Sequence, residues 1–379
     1  MKRLAAAIIG LWTASTAAAD FPFAPIADVP DYIALFNEKS NRTRIDSLLV
    51  RRHGEWVRID SEVDNNYRET SYHRVSDTLE IKITHNSDDA ARPRSLTILR
   101  GARPYRESRW DWTPVKTAER DVVLGEACGI WETGRITIDS AYNAKKELKR
   151  FSCVTEDGIE LRNWFSSFSL AIAAVSLVRR EIPAAEVVPP SDLFDLKTWL
   201  TEEPDPSTRP GDATVTMKSQ PSGDNPRNVK THITRRHFPW TRVDEIDPDG
   251  RRKGHITSES QRLHVGFETS PEGELTNLGL EKILPPLTPG YPRTLTPVSL
   301  GERDTILGEM CTWFDMWPDV MDAGRHECRT EDGLVLKERR YTRGSAFELV
   351  AVRVDREPVP LSQVSPVDVL ARSNWGLPD

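Results

Sequence analysis

Apolar and polar residues alternate with a period of two over much of this chain, while long 3.6-residue periodicities with capping residues are scarce. Ala346, Glu348, Val350, Val352 and Val354 alternate with Phe347, Leu349, Ala351 and Arg353, so one face is largely apolar and the other mixed, as on a half-buried strand. Thr214 to Lys218, the turn residues 221–226 and Val229 to His237 read as a hairpin, with a second turn at Asp247-Pro248-Asp249-Gly250. Short helices are predicted over Ile26 to Phe36, Pro190 to Trp199 and Pro366 to Trp375. The pattern predicts an α+β fold, mainly antiparallel β, in which a curved sheet carries a few short helices in each domain.

The chain is also one unit written twice. Arg51-Arg52-His53-Gly54-Glu55-Trp56-Val57-Arg58-Ile59-Asp60 returns as Arg235-Arg236-His237-Phe238-Pro239-Trp240-Thr241-Arg242-Val243-Asp244, identical at six of ten positions. Glu119-Arg120-Asp121, Leu124-Gly125-Glu126 and Cys128 return as Glu302-Arg303-Asp304, Leu307-Gly308-Glu309 and Cys311. Cys153 with Thr155-Glu156-Asp157-Gly158 and Leu161 matches Cys328 with Thr330-Glu331-Asp332-Gly333 and Leu336. Arg180-Glu181, Pro190, Asp192 and Trp199 align with Arg356-Glu357, Pro366, Asp368 and Trp375. The offset falls from 184 to about 175, so the second copy has lost a short stretch between its cysteines. The expected organisation is a first repeat domain over 25–200, a Pro- and acid-rich linker over 201–213 and a second repeat domain over 211–379.

The first nineteen residues read differently. Lys2 and Arg3 precede an apolar run from Leu4 to Trp12 and the small residues Ala17, Ala18 and Ala19, the pattern of a secretory signal peptide cut near Ala19. The run is far short of the roughly 20 residues that span a bilayer, and no second long apolar run follows. The mature chain is therefore expected in the periplasm with no integral membrane segment. The charge of the full chain narrows the partners: 51 Lys and Arg against 58 Asp and Glu give a net charge of −7, which argues against nucleic acid.

An even cysteine count in an exported protein argues for disulfides. Four cysteines permit three pairings, and the repeat selects Cys128 with Cys153 and Cys311 with Cys328, each within its own copy. The rival is a metal site of Cys311, His326 and Cys328, but the position matching His326 in the first copy is Phe151, and no metal-ligand spacing occurs elsewhere. No metal and no cofactor is expected.

Other constellations favour framework over chemistry. The Arg-Arg-His-x-x-Trp block could clamp an anion, but in a strand Arg51 and Arg52 point to opposite faces, so packing of Trp56 and Trp240 with arginines paired to acids is the preferred reading. No nucleophile elbow, phosphate loop or Ser-His arrangement points to an enzyme. Trp164 to Val178 stands out, because apolar residues occupy both faces of an expected strand whose counterpart carries Arg343, Glu348 and Arg353. A helix, the other copy or a bound hydrophobic ligand must cover the extra face. The candidate ligand-lining residues are Phe165, Phe168, Leu170, Ile172 and Ala174, with small Ala171 and Ala173 leaving room beside them.

Leu-Gly-Glu-x-Cys followed by Trp, Cys-x-Thr-Glu-Asp-Gly-x-x-Leu, and Arg-Glu with Pro and Asp beyond resemble exported bacterial proteins of the LolA-like superfamily. The resemblance implies an antiparallel sheet curled into an unclosed barrel, helices over its concave side, and carriage of lipoproteins or lipids. With the duplication, the expectation becomes two tandem curved sheets, each an unclosed half-barrel. The function expected is non-catalytic binding of a hydrophobic small molecule, lipid or lipidated peptide. An envelope protein partner and an unrecognised periplasmic hydrolase are the alternatives. The intact mass of the natively purified protein is expected to correspond to a chain cut after Ala19 and lacking the hydrogens of all four thiols; a retained leader or free thiols would contradict the export reading.

Overall fold

The computed structural model describes residues 29–39, 47–64, 67–86, 89–101, 114–139, 145–166, 171–200, 211–220, 229–282, 296–318, 323–342 and 345–378. The expected leader, linker residues 201–210, and Phe168 and Leu170 lie outside them. The first copy runs through β1 (Tyr32–Lys39), β2 (Ser47–His53), β3 (Trp56–Asp64), β4 (Tyr67–Arg74), β5 (Leu79–Asn86), β6 (Asp89–Leu99), β7 (Val115–Val123), β8 (Glu126–Asp139), β9 (Lys145–Thr155), β10 (Glu160–Phe165) and β11 (Ala171–Arg179). The second runs through β12 (Ala213–Gln220), β13 (Thr231–His237), β14 (Trp240–Ile246), β15 (Arg252–Ser258), β16 (Leu263–Thr269), β17 (Leu275–Lys282), β18 (Val298–Ile306), β19 (Glu309–Asp315), β20 (Ala323–Arg329), β21 (Val335–Thr342) and β22 (Ser345–Asp355).

This architecture corrects the α+β expectation of two tandem sheets. The fold is nearly all β, the strand registers among the described residues are antiparallel, and the only α-helix among those residues is the four-residue α1 (Val367–Leu370). The sheets are not separate by copy, because β6 of the first copy pairs with β17 of the second. One compact unit holds β1 and β7 to β11, hydrogen-bonded in the order β1-β11-β10-β9-β8-β7. The other holds β2 to β6 joined through β17 to β12 and on through β22 to β18.

Of the three short helices that the sequence suggested, two fail for local reasons and the third keeps a single α-helical turn. Tyr32, Ala34 and Phe36 are buried while Ile33, Leu35 and Asn37 are half-buried, which is period two, so the expected helix over Ile26 to Phe36 gives way to β1. The stretch from Pro190 to Trp199 forms two 3-10 turns, Ser191–Phe194 and Leu196–Thr198, interrupted by an extended Asp195 whose carboxylate accepts from the Lys197 amide at 2.9 Å. The stretch from Pro366 to Trp375 keeps the α-helical turn α1 and a 3-10 turn, Arg372–Trp375, separated at Ala371.

In the larger unit the copies meet symmetrically. Stepping outward from the repeated Asp60 and Asp244 block through the strand registers makes Ser71, Lys82 and Thr97 the counterparts of His255, Gly266 and Gly279. Thr97 and Gly279 are themselves partners across β6 and β17, so a pseudo-two-fold axis passes between them. One face of this sheet is apolar: Ile81, Ile83, Leu96, Ile98, Val265, Phe267, Leu278 and Leu280 are each at most 3% exposed. Burial of side chains of this size contributes about 2 kcal/mol each.

The segments after β11 and β22 cap that face, and each reaches across to the other copy. Trp375 and Trp199 are fully buried, and their indole N–H groups donate to the carbonyls of Val369 (3.1 Å) and Leu193 (2.9 Å). Arg74 of the first copy donates to the Trp375 and Gly376 carbonyls at 3.0 and 2.7 Å, and Arg100 lies over the Trp375 ring. Reciprocally, Lys282 of the second copy lies over the Trp199 ring.

Cys128–Cys153 joins β8 to β9 and Cys311–Cys328 joins β19 to β20, the pairing expected from the repeat. Two disulfides are the mark of a protein that works in an oxidising compartment outside the cytoplasm. Among the described residues no helix is long and apolar enough to cross a membrane.

Trp375→Ala is expected to lower unfolding free energy by about 3–5 kcal/mol in denaturant titration, since it empties a closed site and removes the indole donor to the Val369 carbonyl. The acid limb of stability has an identifiable group. Burial, aided by Lys82, lowers the pKa of His73 from 6.5 to about 4. The unfolded chain therefore binds this proton first, and stability is expected to fall as pH drops from 6.5 toward 4. His73→Gln should flatten that slope in pH-dependent denaturation curves; an unchanged slope would assign it to other groups.

Candidate functional site

Three of the sequence-predicted ligand-lining residues are described, and the structure brings them to one face of the smaller unit. Ile172 is the β11 partner of Asn163 on β10, Phe165 lies two residues beyond Asn163, and Ala174 partners Phe36 of β1. Their surroundings are less apolar than the sequence implied. Ser152 donates to Glu160 at 2.6 Å, Asn163 donates to the same oxygen at 3.0 Å, and Arg150 donates to Asn163 at 3.2 Å. Burial pushes the Glu160 carboxyl up, against the opposing pull of Arg150 and the two donors. On the opposite face Val175 and Val178 are about half exposed, so the cover expected there is not supplied at these two positions.

The repeated words turn out to be framework. Leu124-Gly125 and Leu307-Gly308 are two-residue hairpin loops with both residues at positive φ, the twist that joins antiparallel strands without splaying them. Thr155 and Thr330 close the following turns through the amides of Ile159 and Leu334, each at 2.9 Å. One arginine then ties both loops together: Arg179 to Asp157 (2.8 Å) and Glu126 (2.9 Å), and Arg356 to Asp332 (2.6 Å) and Glu309. The structural counterpart of Arg356 is therefore Arg179, not the Arg180 that the sequence aligns with it. In the Arg-Arg-His block, Arg235 and Arg242 both bind Asp244 (2.6 and 3.1 Å), and Arg242 reaches Asp368 of the cap at 2.9 Å. Arg51 and Arg58 bind Asp60 likewise. Arg236, on the other face, binds Asp332 at 2.6 Å.

A cleft of about 500 Å3 lies where the copies join, on the polar face of the larger sheet. Strand alternation puts Ser95 and Thr97 of β6, Asn277, Gly279 and Glu281 of β17, His264, Gly266 and Glu268 of β16, and Lys253 and His255 of β15 on one side. Its floor is low because Gly266 and Gly279 are cross-strand partners. A Cβ on Gly279 would meet nothing within 4 Å, and one on Gly266 would meet only imidazole atoms, the nearest at 3.7 Å. Gly254 is different in kind, since its Cβ would enter the Phe267 ring. The walls carry His255 and His264, stacked with centroids 5.7 Å apart, and the ion pair Lys253–Glu268 at 3.3 Å. Burial, reinforced by His255, pushes the pKa of His264 down against the pull of Glu281.

The pseudo-symmetric position in the first copy is closed. Lys82 stands where the second copy has Gly266 and pairs with Glu69 at 3.1 Å, while Ser71 and Glu80 replace His255 and His264. Sequence reasoning passed over the cleft because no motif marks it. The available signal was a pair of glycines inside strands, positions that commonly mark close approach by a ligand or another backbone.

Among the described residues no group of three or more His, Cys, Asp or Glu is placed to hold a metal ion, and Cys311 and Cys328 are committed to their disulfide. No protein-family model and no curated protein matches this chain. Among solved structures it is similar to PNGF-II in a C2 crystal form, at 8% identity and a TM-score of 0.23, over 86% of this chain and 95% of that one. A TM-score of that size establishes no common fold.

Proposed function

We propose that this is an exported, periplasmic, non-catalytic binding protein that holds an amphipathic ligand in the cleft at the join of its two copies. The observation that carries the reading is the unfilled space above Gly266 and Gly279, in a sheet whose symmetry-related position is filled by Lys82. Its volume lies within the roughly 300–1,000 Å3 of small-molecule sites. The resemblance of the repeated words to LolA-like carriers motivates the same class of activity. The ligand chemistry differs from a bare acyl chain on the apolar face of the larger unit, which Trp199 and Trp375 already occupy. The polar face offers hydrogen-bonding side chains around a flat backbone floor, which suits a guest with both polar groups and a packing surface.

Native mass spectrometry of the protein taken from its own compartment is expected to show a bound mass that Gly279→Leu removes. The substitution fits the open space above the strand, so melting temperature should stay within a few degrees of the wild type. A wild-type protein that is empty, or a variant that keeps the bound mass, would remove the reading.

A further inference from the structure

We infer that the cleft takes a neutral saccharide, an inference that rests on the binding role just proposed. The lining argues by exclusion. An anion would meet Glu268 and Glu281, and the one ammonium in the lining, Lys253, is already paired with Glu268. A simple cation would meet that same Lys253 and two imidazoles, in a set that does not assemble a metal site. An alkyl chain would strip water from Thr97, Asn277 and Glu281 without returning hydrogen bonds, while the Ser95 hydroxyl already bonds Thr84 at 2.6 Å.

A polyhydroxylated ring meets each of these demands. Ser95 and Thr97 donate or accept, Asn277 does both through its amide, and the Glu281 carboxylate accepts two hydroxyls at once. The strand registers set these groups around the glycine pair: Glu281 opposite both His264 and Ser95, Gly279 opposite Thr97, and Asn277 opposite Glu268. The C–H face of a pyranose lies against the exposed peptide planes of Gly266 and Gly279 and the edge of the His255–His264 stack. The site has no symmetry mate, because the pseudo-symmetric position carries Lys82 in place of Gly266 and Glu80 in place of His264.

The mature protein should be tested against an immobilised array of neutral oligosaccharides, with inorganic phosphate and laurate as separate competitors in solution. Binding to at least one family of neutral glycans is expected, weakened at least tenfold by Gly279→Leu and by Asn277→Ala and unaffected by either competitor. Native mass spectrometry separates the two levels of failure. If no neutral glycan binds while a co-purified mass still depends on Gly279, the saccharide assignment is overturned and the binding role stands. If neither glycan nor co-purified mass depends on Gly279, both fall. Glycan binding that survives both substitutions also overturns the assignment, since it places the saccharide elsewhere.

Discussion

The antiparallel pairing of β6 with β17 is the contact on which the larger unit depends. It sets Thr97 opposite Gly279 and thereby fixes which side chains of both copies share a face. Because side chains alternate with a period of two, a slip of one residue would turn Leu278 and Leu280 to solvent and bring Asn277 and Glu281 under the caps. The observed register instead makes one apolar layer from both copies, with Leu96, Ile98, Leu278 and Leu280 almost wholly enclosed at its centre. The caps complete this layer. Trp375 is held by Arg74 and Arg100, Trp199 lies beneath Lys282, and Arg372 lies over Phe194, so neither copy encloses its apolar face alone.

Charge serves this frame more than it serves chemistry. Asp244 is 1% exposed and would be costly as an isolated carboxylate, but Arg235 approaches it from the neighbouring β13, Arg242 from its own strand, and Arg242 continues to Asp368 in the cap. The loop clamps of Arg179 and Arg356 hold hairpins whose leucines occupy an uncommon positive φ, and the Arg356 contacts keep the Asp332 carboxyl well below the usual range. Such groups explain why the same words recur in both copies: each is a contact between elements that the repeated fold brings together.

The cleft arises where the copies differ. Duplication supplies two equivalent faces about the Thr97–Gly279 axis, and Lys82 against Gly266 then closes one and opens the other. A symmetric frame with one asymmetric opening lets the framework contacts persist while a few positions on the polar face diverge. Neither Gly266 nor Gly279 has the backbone conformation that would demand glycine, and neither is crowded by backbone, so the space above them is free of a structural role.

By itself, the sequence determined the duplication, the period-two strands, the disulfide partners within each copy and the opposed arginines of the Arg-Arg-His block. These are local or repeated features: alternation, turn residues and matched spacings. Only the tertiary structure decided that β6 of one copy zips to β17 of the other, that the Trp199 segment is broken 3-10 turns rather than a helix, and that Ser95 and Thr97 share a cleft with His255 and His264. Strand pairing between residues some 180 positions apart leaves no local signature, because any two exposed edges of similar length and pattern offer the same amides and carbonyls. Their partner is settled by which faces can then be buried together.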